Sequence, residues 1–282
     1  WVSDRLSSGD GVTHVMSNVV INGAQTLSFS AGSFVTSGVQ GVTFGAVALT
    51  GNATLDVVDP GAAADLQVTL GPVNGGAVGL TKAGAGRLIL NGVATNSGVT
   101  VISNGQVFVQ AVVASPFVVG TAGTLGGTGV VRGVVTQDGI IAPGAGIGRL
   151  TVSNQLTASG TAVYRFELGG TNAPTDYDQL VVSDVHTLQG VLEVIVTNGY
   201  VPAGGDRFNI LTNSGVGGLL FGTFTSVSAP ALPAGLGWDV QYTGTESASL
   251  VVTGTIAAAF TPYELWAQSI TNPALRGEQE DA

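Results

Sequence analysis

In the stretch TDYDQL, Asp176 and Asp178 stand two residues apart. In an extended chain that spacing puts both carboxylates on one strand face. A carboxylate pair can pass a proton in glycoside hydrolysis or ligate calcium. The plainer reading is a turn followed by the solvated start of a strand, and it is preferred here. His14 and His186 are isolated, each in a strand-like setting, and read as partly exposed strand residues rather than metal ligands or proton carriers. APGAGIG (142–148) brings together Gly144, Gly146 and Gly148, as a phosphate-binding loop would. That mechanism needs a helix N-terminus behind the loop, and RLTVSN, which follows, reads as a strand. Glu278, Glu280 and Asp281 read as a solvated tail. Neither a Gly-x-Ser-x-Gly elbow nor a Gly-Lys-Ser/Thr sequence occurs. No catalytic, cofactor-binding or metal-ligating residue is therefore assigned, and no cofactor is expected.

Composition narrows the remaining classes. Glycine accounts for 44 of 282 residues, well above the roughly 7% of average proteins. Charged residues make up 9% against roughly 25%. The hydrophobic share of 44% is unlike that of a disordered chain, and glycine without a Gly-X-Y period excludes collagen. The net charge is −10, and the 8 basic residues, Lys82 and seven arginines, are scattered singly. Nucleic acid binding needs clustered basic residues, so no nucleic acid partner is expected. The absence of cysteine removes disulfides, zinc clusters and thiol nucleophiles. It also fits export. No basic segment followed by an apolar run opens the chain, so no signal peptide is read, and the start at Trp1 reads as a mature or cut product. VFVQAVVASPFVVG (107–120) is too short and too interrupted by Gln110, Ser115 and Pro116 to span a bilayer.

The elements that must position any site are short strands. Runs such as ATLDVVD, RLILNG, VTVISNG, QVFVQAVV and VLEVIVTNG are rich in β-branched and large apolar residues and close on Gly, Asn or Asp. Asn-Gly pairs at 22–23, 91–92, 104–105 and 198–199 accept positive φ readily. A sandwich and a β-solenoid both use such strands. Two features favour the parallel β-solenoid. GRLILNG, GQVFVQA, GTLGGTG and GRLTVSN resemble one another and begin at Gly86, Gly105, Gly123 and Gly148, as stacked repeats do. The non-core positions carry Thr, Ser and Asn, which stack on their own kind without the repulsion of like charges. With about 20–25 residues per coil and a rise of ~4.8 Å, roughly 11–14 coils would form a rod about 50–65 Å long. Its two ends would expose unpaired backbone groups.

Three regions follow: solenoid coils over 1–159, a continuation or β-rich cap over 160–256, and a tail over 257–282. In the tail, Thr261 and Glu264 form a capping box with Pro262 at the first helical position. Tyr263, Trp266 and Ile270, spaced three and four apart, give one apolar face, and Asn272-Pro273 ends the helix. So short a helix must dock, either on the end of its own rod or on another subunit.

Residues 80–107 resemble the autotransporter-associated β-strand repeat. The matching residues are Leu80, Thr81, Lys82, Gly84, Gly86, Leu88, Leu90, Gly92, Gly98, Thr100, Ile102 and Gly105. The later GTLGGTGVVRG, GIIAPG and GRLTVSNQLT resemble the coils that follow such a repeat. The resemblance implies a right-handed parallel β-helix within a large exported or surface protein of a Gram-negative-type bacterium, and it implies no catalytic activity. The end of the tail is similar to the junction that precedes an Asp-rich, calcium-loop-like segment in large bacterial surface proteins.

The expected protein is an all-β, right-handed parallel β-helix with a short C-terminal amphipathic helix. It would be a non-catalytic extracellular structural subunit that forms a homo-oligomer or homopolymer through Tyr263, Trp266 and Ile270, in a fibre or surface layer. The alternative is a monomeric adhesin that binds a glycan or host surface. A β-helix polysaccharide enzyme would need a groove of several carboxylates with Arg or Lys for an anionic sugar, and the 18 acids and 8 bases look dispersed.

Overall fold

Alternation of apolar and polar residues sets the architecture. Every second side chain of Ala53–Val58 is buried, as in Arg87–Leu90 and Val163–Leu168, because successive strand residues point to opposite faces. The structure, a computed structural model, describes residues 1–4, 6–59, 64–215 and 218–254. Those residues are all β, without a helix, and form large, mainly parallel sheets. The tail helix expected over 261–272, with Tyr263, Trp266 and Ile270, lies outside them.

The parallel pairings fall into three columns. In the first, Gln25, Ala53, Leu80, Thr100, Phe117, Val135, Leu156, His186 and Leu220 are successive partners. The second stacks Val42, Val68, Leu88, Val107, Leu125, Ile141, Tyr164 and Leu192. The third stacks Val73, Ala94, Val113, Val131, Val152 and Val182. The chain visits the three in the same order on each pass: Leu80–Ala83, then Arg87–Leu90, then Ala94. Side chains of the second and third columns form buried ladders, joined by Phe117, Val135 and Leu156 from the first. Threonines stack outside, as Thr26 on Thr54 on Thr81 and Thr136 on Thr157 on Thr187. Parallel pairing excludes the sandwich, whose strands run antiparallel.

Two expectations about spacing need correction. Gly105 pairs with Gly123, and Arg87 with Gln106, so steps of 18 and 19 residues hold. Gly148 does not continue that series. Arg149–Val152 pairs with Val130–Val131 and Gln179–Val182 in the third column, whereas Ile140 lies beside Thr124 in the second. Similar strands occur on different faces because the same in–out alternation serves all three. Among the described residues the rungs number ten, from His14 to Val227 in the second column, against the 11–14 expected for the whole chain. Nine lie between Gln25 and Leu220, and the steps lengthen to 34 residues between His186 and Leu220. Eight intervals of ~4.8 Å make roughly 40 Å.

The ends differ. Parallel register crosses residue 160 without a break, Ile140 pairing with Val163. Apart from isolated bridges at Gly127–Gly144 and Leu168–Tyr177, antiparallel pairing begins where Arg207–Asn213 meets Ser247–Gly254, which in turn pairs with Leu236–Thr243. This hairpin packs Leu236, Trp238, Val240 and Tyr242 against the core. The Trp238 indole donates to Pro230 O at 2.9 Å, and Phe224 N donates to the Tyr242 hydroxyl at 2.9 Å. At the other end, Val2–Ser3, Thr13–Val15 and Val19–Ile21 each pair on one side only among the described residues.

Corners between columns demand glycine where one rung crosses closely over another. Gly105 has φ +73°, and a Cβ there would sit 2.4 Å from Gly84 O and 2.5 Å from Gly86 O. Gly105→Ala is expected to lower stability by about 2–3 kcal/mol, combining left-handed strain with that contact. Urea denaturation would measure it, and an unchanged midpoint would show that the corner can move.

Candidate functional site

Lys82 is the chain's one lysine, and the first column turns it inward. It lies between Leu55 and Ile102 in register, and it is fully buried. Its Nζ donates to Ala83 O at 2.8 Å, Gly84 O at 2.6 Å and Asn104 O at 3.2 Å. Burial pushes the ammonium down to about 8, against the raising pull of Asp56. Three rungs on, Gln137 occupies the same column position, reached through Ile102 and Val119. Its Nε2 donates to Gly139 O at 3.2 Å and Val163 O at 3.0 Å. Each interior donor thus satisfies a carbonyl two residues ahead, at the corner leading into the second column. Buried carbonyls need such partners. Lys82 serves the fold in this way.

His186 is buried, which corrects the expectation of partial exposure. It stacks between Leu156 and Leu220. Its Nε2 shares a 2.8 Å hydrogen bond with the Tyr164 hydroxyl, and the Phe224 ring meets Tyr164 edge-on at 5.4 Å. Burial pushes the imidazole down to about 3 and the phenol well above its ordinary range. His14 sits in Thr13–Val15 with the Trp1 ring 5.4 Å away, and it pairs with Val42 of the second column, whereas His186 lies in the first. The two histidines do not form a common site.

Asp176 and Asp178 do not share a strand face. Asp176 lies in the turn before Gln179–Val182 and accepts from Asn172 N and Nδ2. The Asn172 side-chain bond holds its carboxyl below the ordinary range. Asp178 is 1% exposed. Its Oδ1 accepts from Gly148 N at 2.7 Å and its Oδ2 from Glu167 N at 2.8 Å. Burial raises Asp178 to about 7, opposed by those two N–H bonds and assisted by the charge of Glu167. The glycine loop expected not to cradle phosphate instead seats this carboxylate at Gly148, and the strand expected behind it is present as Arg149–Val152.

The outer face of the second column carries a trough. Gln67, Arg87, Gln106 and Thr124 stack in register along it. Beyond them the Phe108 ring packs on Gly126, and Ala142 lines the floor in the adjacent rung. A hollow of about 270 Å³ results, walled by Arg87, Phe108, Arg165, Glu167, Asp178 and the 143–146 loop. A smaller hollow of about 70 Å³ adjoins it through Arg87 and Gln106. Arg165 Nε is paired with Glu193 at 2.7 Å. Carboxylates and arginines that look dispersed in the sequence therefore meet on one flank. The signal was the register of GRLILNG and GQVFVQA, which stacks Arg87 on Gln106.

Among the described residues, no group of three or more His, Asp or Glu side chains could hold a metal, and no helix is long and apolar enough to cross a membrane. Glu278, Glu280 and Asp281 lie outside them, as does the Tyr263, Trp266 and Ile270 trio. No protein-family model and no curated protein matches this chain.

Proposed function

We propose that this protein is a non-catalytic extracellular structural subunit. Its chain winds as a right-handed parallel β-helix of the kind seen with the autotransporter-associated β-strand repeat, and it associates end-on with copies of itself at a bacterial surface. The single observation that carries this reading is the contrast between the two ends. The hairpin packs over one. Both ends leave strands paired on one side only among the described residues, Leu220–Gly222 and Ser226–Ser228 at the hairpin end, but the other also presents an apolar hollow of about 390 Å³ lined by Trp1, Met16, Leu27, Phe29 and Phe44. Open strand edges beside apolar surface call for a partner. The occupant proposed is the tail of a neighbouring copy, inserting Tyr263, Trp266 and Ile270. The interior supports a structural role as well: Lys82, Gln137 and His186 are engaged within the fold.

Electron microscopy and light scattering of the purified chain test this. Assemblies are expected for the full chain, and deletion of 260–282 or Trp266→Ser should dissolve them and lower the melting temperature. Unchanged assembly and melting after deletion would overturn the role of the tail. A form extended upstream of Trp1 that stays monomeric would assign the open edge to its own preceding circuits and remove the end-on reading.

A further inference from the structure

We propose that the trough along the second column binds an acidic oligosaccharide, with Arg87 holding the sugar carboxylate. Arg87 is fixed in place. Its Nε donates to Gln106 Oε1 at 3.0 Å, and its Cζ lies 4.8 Å above the centre of the Phe108 ring. Two restraints on one guanidinium leave little rotamer freedom to lose on binding. Its Nη groups, by contrast, have neither a hydrogen bond nor an ion pair among the described residues. An immobilised guanidinium with an unused edge matches a planar carboxylate. Arg165 differs, because Glu193 already neutralises it.

The rest of the trough selects the class of molecule. Its floor strands are paired on both sides, Arg87–Leu90 with Gln67–Leu70 and Gln106–Val109, so backbone pairing with a peptide strand is closed off. The one aromatic ring, Phe108, is covered by Arg87 and 8% exposed, so no pocket awaits an apolar side chain. What faces the hollow is amide, hydroxyl and carboxyl: Gln106, Thr124, Glu167 and Asp178. Gln106, Thr124 and Glu167 can exchange hydrogen bonds with sugar hydroxyls, and Gln106 and Thr124 stand in adjacent rungs ~4.8 Å apart, whereas both Asp178 oxygens are already taken by Gly148 N and Glu167 N. The hollow of about 270 Å³ beside Ala142 and the 143–146 loop gives the sugar its room.

The inference is independent of end-on association and can fail separately from it. Calorimetry of the purified chain with an oligogalacturonate, the matching uncharged hexose oligomer and poly-glutamate distinguishes the outcomes. The oligogalacturonate is expected to bind, more weakly as salt rises, with the other two weaker by roughly tenfold or more. Arg87→Ala should weaken oligogalacturonate binding by roughly tenfold or more, and Arg87→Lys severalfold, since an ammonium lacks the planar edge. Arg87 lies on the outer face, so both variants should melt like the parent chain; should Arg87→Ala not fold, Arg87→Lys carries the test. Absence of oligogalacturonate binding, equal binding of the uncharged oligomer or of poly-glutamate, or unaltered affinity in both Arg87 variants would overturn the proposal.

Discussion

Lowering the pH from 7 to 4 is expected to destabilise an Asp178→Asn variant by about 3 kcal/mol, several times more than the parent chain. Two buried groups oppose each other in the parent. His186 is held down to about 3, well below the ordinary 6.5. Above pH 6.5 neither folded nor unfolded chain protonates it, and its contribution is complete. Below 6.5 the unfolded chain takes a proton that the buried imidazole refuses, so stability falls as pH falls toward 3. Asp178 works in reverse. It is held up to about 7, above the ordinary 3.8. Below 3.8 both states are protonated and its contribution is complete; as pH rises from 3.8 through 7 the unfolded chain ionises first and stability is lost. A tenfold difference in proton affinity between folded and unfolded chain is worth about 1.4 kcal/mol, so the two slopes are of similar size and partly cancel. Asp178→Asn leaves the His186 slope exposed. His186→Gln, which keeps a partner for the Tyr164 hydroxyl, leaves the Asp178 slope, and that variant should gain stability on acidification. Urea unfolding at a series of pH values measures both. A flat profile for Asp178→Asn would show that His186 can be protonated in place.

The second large effect concerns Lys82. Lys82→Ala is expected to cost about 3–5 kcal/mol, because it opens a cavity between Leu55 and Ile102 and strands three corner carbonyls. Lys82→Met separates the two effects. Methionine refills the hollow but donates nothing, so about 1–3 kcal/mol of loss should persist. If Lys82→Met unfolds at the same urea concentration as the parent, the carbonyls do not need the ammonium. The pH response has a definite sign too. With the folded group near 8 and the free one at 10.5, the unfolded chain binds the proton more tightly between those values, so the Lys82 contribution to stability grows as pH rises from 8 to 10.5.

The alternation that buries Leu88 and Leu90 on one face also places Lys82 on the inward side with Leu80, so its burial was legible at residue level. It escaped notice because a lone lysine in a glycine-rich repeat reads as a surface residue, and the carbonyls it serves lie partly one rung away, at Asn104. Asp178 and His186 escaped for a related reason: their burial depends on Gly148, Glu167 and Tyr164, which lie 11 to 30 residues away.

By itself the sequence determined the strand chemistry. Period-two alternation, glycine corners and the scarcity of charge at stacking positions dictate an all-β chain with large parallel sheets, because those properties act between near neighbours. Only the tertiary structure decided which rung lies beside which. It set Gly148 on the third column rather than beneath Gly123, stacked Arg87 on Gln106 beside the hollow at Ala142, and folded a hairpin over one end. Register between rungs depends on how many residues each corner absorbs, from 16 to 35 per circuit here. Local pattern does not encode that count; close packing of the interior selects it.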